Sequence, residues 1–403
     1  MNSTFEFVGK LVACKESDKF KPYGTVAFPN SKWGKKSIKF NVVCGTNRHL
    51  VECSDLVNVE SPESMTIYTF SKGGKNDAGE TVKGEKMEVA FKDRLKPSII
   101  EQVANFKKWV IDTELPKRRD QLRLAIDKFK DGTITDEQMQ SIGVTSISDC
   151  EAKLKASENK KNEYISAYDF IDKLNELVTD PTTKDMLFKV VGNYELDYSE
   201  KDGKWYKHFA VQRVYRVPDD AEVQSHATFG VVFGKDCVDE SAFEDIGKYK
   251  VEGYIPQYLN KYKKTFFAPI TISIDGNGDE KDKKRAKACV KKFEFPDGYD
   301  GEYRELGVTC DVLDGAQKIE LTEDMLTEEQ KENIEFGLCT MEDIIREMGG
   351  DVYGDRVTDI VMVKLARNYS NGSQPTTYQE SDFGKPHLEN DTDDDEVFSD
   401  DEI

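Results

Sequence analysis

The chain has 403 residues, 33% charged and 37% hydrophobic, with a formal net charge of −20. Its 22 Phe and 17 Tyr are too many for a disordered chain, and its length exceeds one ordinary core, so two or three folded domains with wet surfaces are expected. Taken whole, the acidity argues against a nucleic-acid partner, because phosphate binding needs clustered Lys and Arg. The average conceals segregation, however: through Lys96 there are 16 Lys plus Arg against 12 Asp plus Glu.

In chain order, Phe5 to Cys14 reads as a strand. An aromatic, turn-rich stretch with Phe20, Tyr23, Phe28 and Trp33 leads to a second strand over Ser37 to Cys44, where Ile38, Phe40, Val42 and Cys44 alternate with polar residues. Further strands are expected at Arg48 to Cys53, Met65 to Phe70 and Glu85 to Phe91, with a Gly-rich break between the last two. Five strands in residues 1–96 fit a small barrel.

At Pro97 the period changes. Ile99, Ile100, Val103, Phe106, Val110 and Ile111 recur at helical spacing, and Leu122 to Phe129 and Asp169 to Val178 suggest more helix, so residues 97–183 are expected to form a helical connector. A second barrel is expected over 184–275, with strands at Phe188 to Tyr198, Lys204 to Val217, His226 to Phe233, Tyr249 to Tyr258 and Thr265 to Ile274. Residues 276–367 open on a basic helix (Lys281 to Lys292) and read as a small α+β unit, with strands near Leu306 to Val312 and Val357 to Leu365. Residues 368–403 read as a flexible linker and a disordered acidic tail. The fold class is therefore mixed α/β (α+β): two small antiparallel β-barrels joined by a helical segment, each with the strand count and length of an OB-fold, the Greek-key barrel that holds oligonucleotides across one sheet.

No catalytic constellation is present. Gly73-Gly74-Lys75 and Gly79 to Gly84 lack the Lys-Ser/Thr ending of a phosphate loop, and Asp275 to Asp279 starts like a calcium loop without its turn Gly or bidentate Glu. The 8 Cys and 4 His are dispersed, so no metal, disulfide framework or cofactor is indicated. The N-terminus lacks a basic start before an apolar run, and no stretch approaches the ~20 apolar residues of a membrane span. A non-enzymatic protein of the cytoplasm is expected, without membrane contact. The sequence carries no signal of oligomeric state.

The binding signal is stronger. Single strands are held by cations that follow phosphates and by aromatic faces that stack on bases. Lys32, Trp33, Lys35 and Lys36 cluster before the strand that displays Lys39, and Arg48 follows. Lys204, Tyr206, Lys207, Arg213 and Tyr215 share one long strand; if Trp205, Phe209 and Val211 fill the barrel, Tyr206 and His208 face outward, although the opposite parity is open. Lys261, Tyr262 and Lys264 form a third cluster in a turn between strands.

The last fifteen residues, Glu389 to Ile403, hold nine acids, including Asp393, Asp394, Asp395, Glu396, Asp400, Asp401 and Glu402, with Val397, Phe398 and terminal Ile403 as apolar points. Like charge at this density keeps a segment solvated, while its few apolar residues suit a partner's pocket. A plain solubilising end is the other reading.

The stretches Lys21-Pro22-Tyr23, Lys39-Phe40-Asn41-Val42, Asn47-Arg48-His49, Tyr68 to Gly73, Val190 to Glu195, Gln212 to Pro218 and Gly349 to Arg356 span nearly the whole chain. In these the chain resembles a family of bacteriophage proteins taken to be single-stranded DNA-binding replication proteins with tandem OB-folds and an acidic tail. The resemblance implies a protein of the host cytoplasm that coats single-stranded DNA with low sequence preference and recruits replication proteins through its tail. Two other classes fit the charge: an acidic DNA mimic, and a virion or scaffold component.

Overall fold

The computed structural model describes residues 3–75, 81–318, 321–347, 353–366, 378 and 380–386. Among the described residues the fold is mixed α/β, with one large β-sheet of fourteen strands and several helices. Its organisation follows from two cycles of strand pairing.

The first cycle uses β1 (Thr4–Ala13), β2 (Trp33–Cys44), β3 (Asn47–Asn58), β4 (Phe188–Ser199) and β5 (Lys204–Arg216). β1 pairs antiparallel with β2, β2 with β3, β5 with β4 and β4 with β1, while β3 meets β5 in parallel at Glu52 and Ala210. The pairings therefore run β1-β2-β3-β5-β4 and return to β1. Closure brings backbones close together: a Cβ on Gly192 of β4 would lie 1.9 Å from the carbonyl oxygen of Ala210 and 2.8 Å from the Phe5 ring, so only Gly fits at this register shift.

The second cycle repeats the scheme with β6 (Gln224–Gly234), β7 (Lys248–Leu259), β8 (Lys264–Asp275), β9 (Tyr303–Lys318) and β10 (Tyr353–Leu365). β6 pairs with β7, β7 with β8, β10 with β9 and β9 with β6, all antiparallel, and β8 meets β10 in parallel at Ser273 and Val361. Each ring also carries a short strand on the outer edge of its second strand, Tyr23–Ala27 on β2 and Val238–Asp239 on β7. The two rings join where β1 pairs antiparallel with β6, from Thr4 opposite Thr228 to Val8 opposite Gln224.

In each ring a helix that packs on the core lies between the third and fourth strands. In the first ring, α1 (Ala167–Thr179) buries Ala167, Phe170, Ile171, Leu174 and Leu177, the i, i+3, i+4, i+7 stripe that a helix lays on a core, and it packs against β1, β2 and β3. Asp55 of β3 fixes its start by accepting from Ser166 Oγ at 2.9 Å and from the Tyr168 N–H at 3.0 Å. In the second ring, α2 (Glu280–Val290) inserts Ala286 and Val290 and keeps its Lys-rich face in solvent. A single apolar core runs through both rings; Phe5, Phe7, Tyr194, Phe209 and Phe229 pack ring to ring across the β1–β6 seam.

The strands fall close to their expected positions, but their partners differ from expectation. Residues 184–216, expected to open a second barrel, pair with β1 and β3 of the first ring. The strands at Thr66–Phe70 and Lys86–Ala90, expected in the first barrel, form a separate hairpin. Residues 276–367 are not a third unit: β9 and β10 close the second ring. The expected connector 97–183 lies inside the first ring's chain as an insertion. Within it Trp109–Asp112, expected to be helical, is a strand between Lys161–Tyr164 and β5. Three helices, Arg118–Lys130, Asp136–Ile142 and Ile147–Glu158, form a satellite with their own core around Leu122, Ile126 and Cys150. For the strand pairings the physical reason is common: alternation fixes which face of a strand is buried, not which distant strand it meets. At Trp109–Asp112 the reason is different: a short apolar run reads as helix or strand until a partner is in place. The tail from His387 onward lies outside the described residues.

Candidate nucleic-acid interface

The outer face of β2 and β3 is where period-two alternation puts functional groups. On β2, Gly34, Lys36, Ile38, Phe40 and Val42 turn inward, while Trp33 and Lys35 are exposed and Lys39 half-exposed. On β3, Arg48, Leu50 and Leu56 are exposed while His49, Val51 and Cys53 are buried. Across the ladder Lys35 stands opposite Leu56, and Lys39 opposite Glu52. Trp33 is 40% and Leu56 54% exposed, so an aromatic face and an apolar side chain flank the Lys35 cation. Lys32 is exposed in the turn before β2.

Lys36 is the exception among the expected cations. It sits on the inward row at 6% exposure, with its Nζ 2.7 Å from Asp172 of α1 and 3.6 Å from the centre of the Tyr168 ring. Tyr23 donates to the same carboxylate at 2.7 Å, which drives its phenol up to about 12. Lys36 thus pins the helix to the ring and is corrected from a binding residue to a structural one.

A charged row crosses the outer face. Lys39 Nζ lies 3.4 Å from Glu52, Glu52 lies 3.0 Å from Nδ1 of His208, and Nε2 of His208 lies 3.5 Å from Asp197. The bond from His208 holds the Glu52 carboxyl down at about 2, and the same bond holds the His208 imidazole above its usual value. The cations here are partly neutralised, so the face is a mixed surface and not a continuous positive track.

On β5 the buried Phe209 and Val211 settle the parity left open by the sequence: Tyr206 and His208 face outward, and Trp205 packs on Tyr198 with ring centres 5.3 Å apart. Lys204 and Tyr206 stand by the β4–β5 turn, where the Tyr206 hydroxyl donates to Asp202. Lys207 approaches Asp314 of β9 at 3.9 Å. Past the bulge, Arg213 donates to the Asn105 carbonyl at 3.0 Å, and Tyr215 pairs beside Asp112 and is partly buried.

The third expected cluster lies elsewhere. Tyr262, in the β7–β8 turn, donates to Glu200 of the β4–β5 turn at 2.5 Å, and Lys261 lies 3.5 Å from the same carboxylate. Lys264 Nζ is 5.9 Å from the Phe266 ring. This turn walls a polar cleft of about 650 Å³ between the rings, which Glu195, Asp197, Tyr198 and Tyr258 also line. Glu195 and Asp197 make that lining acidic beside the cluster.

Sequence reasoning missed a second aromatic patch. On the inserted hairpin Tyr68 and Phe70 share one face, being two residues apart on a strand. Phe106 lies with its ring centre 6.2 Å from that of Phe70, and Lys107 Nζ stands 5.6 Å from Phe70 and 5.9 Å from Phe106. Tyr68 is 75% and Phe106 61% exposed. The patch is tied to the first ring by Gln212, whose amide donates to the Phe106 carbonyl at 2.8 Å, and by Arg213. The alternation Tyr68-Thr69-Phe70 was the available signal, but Phe106 was hidden because helical spacing implied a buried face.

The partner-binding tail residues Asp393, Asp394, Asp395, Glu396, Val397, Phe398, Asp400, Asp401, Glu402 and Ile403 lie outside the described residues. Among those described, no group of His, Cys, Asp and Glu could hold a metal ion, and no helix is long and apolar enough to cross a membrane.

No protein-family model matches the chain, and no curated protein matches it in sequence. Among solved structures it is similar to the crystal structure of a deletion mutant of the single-stranded DNA binding protein from Thermus aquaticus, at 9% identity over 81% of this chain and 98% of that one, with a TM-score of 0.28. A score of that size does not establish a shared fold.

Proposed function

We propose that the protein binds single-stranded DNA without chemistry, along the outer face of β2 and β3 and across the Phe70–Phe106 patch. The observation that carries the reading is exposed aromatic rings beside cations: Trp33 next to Lys35 on β2, and Phe106 near Lys107, whose ammonium also stands by the half-buried Phe70. Large rings left in water cost free energy unless a partner covers them, and bases offer flat faces while phosphates meet the lysines. The pairing order of each ring, with a parallel contact between third and fifth strands and a helix before the fourth, fits a barrel of OB type, in which the second and third strands form the ligand face. Both rings as OB barrels, a role in phage replication in the host cytoplasm and recruitment of replication proteins by the acidic tail belong to the same proposal. The tail's part rests on its composition alone.

The test is fluorescence titration of the full chain with oligothymidylate and with a duplex of equal length at several salt concentrations. Preference for the single strand, weakening as salt rises, is expected. Equal affinity for the duplex would defeat the proposal, and absence of binding to either would favour an acidic mimic.

A further inference from the structure

The second ring treats its outer face differently from the first. On β8, Phe266, Ala268, Ile270 and Ile272 point inward, so Phe267 points outward, yet it is 5% exposed. What covers it is the chain's own Tyr378 and Phe383. The Phe383 ring centre lies 4.6 Å from Phe267, 4.6 Å from Tyr254 of β7 and 4.3 Å from Tyr303 of β9, stacked on the last with planes 28° apart. Tyr378 adds an edge contact to Phe267 at 4.9 Å.

Tyr254 and Phe267 lie on the second and third strands of their ring, as Trp33, Lys35 and Leu56 do on theirs. Because the two rings share one pairing order, the face that is open in the first is the face that is stoppered in the second. A slot of three aromatic side chains closed around one flat ring is selective for flat rings, whether they come from Phe or from a base. Lys250 lies on the same outward row of β7 as Tyr254, four residues away, and can meet a phosphate.

We propose that Tyr254, Phe267 and Tyr303 form a second site for unpaired nucleobases, which Phe383 occupies until a longer single strand displaces it. This rests on the single-strand reading of the first ring and extends it to a second, conditional contact. A short strand fills the open face only; a long one reaches the second ring and expels the segment.

The experiment uses the full chain, so the acidic tail is present throughout, and titrates it with a short and a long oligothymidylate. Phe383→Ala is expected to bind the long oligonucleotide about tenfold tighter, the scale of one base stack, with short-strand affinity unchanged. Phe267→Ala added to that variant is expected to abolish the gain. An unchanged affinity of Phe383→Ala for the long strand, or a gain that survives Phe267→Ala, overturns the second site while the first stands. If the wild-type chain binds neither length, both readings fall. Should Phe383→Ala not fold, hydrogen exchange on the wild type decides: the long strand must deprotect residues 378–386, and unaltered exchange there refutes the proposal.

Discussion

Glu52 and His208 meet at 3.0 Å on the outer face of the first ring, where β3 and β5 run in parallel, and each changes the other's proton affinity. The imidazole is held above its usual 6.5, and the carboxyl falls from 4.5 to about 2. The stabilisation from His208 is therefore complete below 6.5 and is lost as pH rises through its raised folded value, while that from Glu52 is present above 4.5 and is lost as pH falls towards about 2. Replacing His208 with Gln should flatten the decline in thermal stability on the alkaline side of that window. A melting-temperature scan from pH ~6 to ~9 checks it, and an unchanged slope counts against the coupling.

The same pair bears on binding. With His208 charged, the Glu52 and Asp197 carboxylates are offset; once it is neutral, two negative charges remain beside the proposed DNA path. Single-strand affinity should weaken as pH rises through the His208 transition, and the Glu52→Gln variant should lose most of that dependence. Titrations at fixed ionic strength and varied pH measure this.

Adjacent lysines should behave oppositely. Lys35→Ala is expected to weaken DNA binding and to reduce the slope of log affinity against log salt by about 0.7, the value of one phosphate contact on a single strand, with little change in melting. Lys36→Met should leave affinity unchanged and cost about 1–3 kcal/mol of stability, below the full cost of breaking a buried pair because Asp172 keeps partial access to water. Denaturant melts and binding titrations on both variants would expose a reversed parity of β2.

Trp33→Ala and Phe106→Ala should each cost about 1–3 kcal/mol of single-strand affinity if their rings stack on bases. Both side chains are substantially exposed, so thermal melts should move little. A normal affinity for Phe106→Ala would confine the interface to β2 and β3.

Phe7 is fully buried, stacked on His49 at 4.2 Å and edge-on to Phe209 at 4.9 Å, on the strand that joins the rings. Phe7→Ala should cost about 3–5 kcal/mol, and because one core runs through both rings, calorimetry should still show a single transition at lower temperature.

The sequence by itself determined the strands and much of their facing. Ile38, Phe40 and Val42 announced a half-buried strand, and the same alternation carries Trp33, Lys35 and Lys39 outward, because side-chain direction follows locally from backbone geometry. It also fixes Lys36 inward, a consequence masked by the apparent continuity of a basic cluster. Tertiary structure alone decided which strands close each ring: Glu52 meets Ala210 across an insertion that includes a hairpin and a three-helix satellite, and no local pattern encodes a partner that distant. It decided equally that Tyr262 turns to Glu200 and that Phe383 covers Phe267. Burial and hydrogen bonding select among the pairings that alternation permits, and that selection is a property of the assembled core.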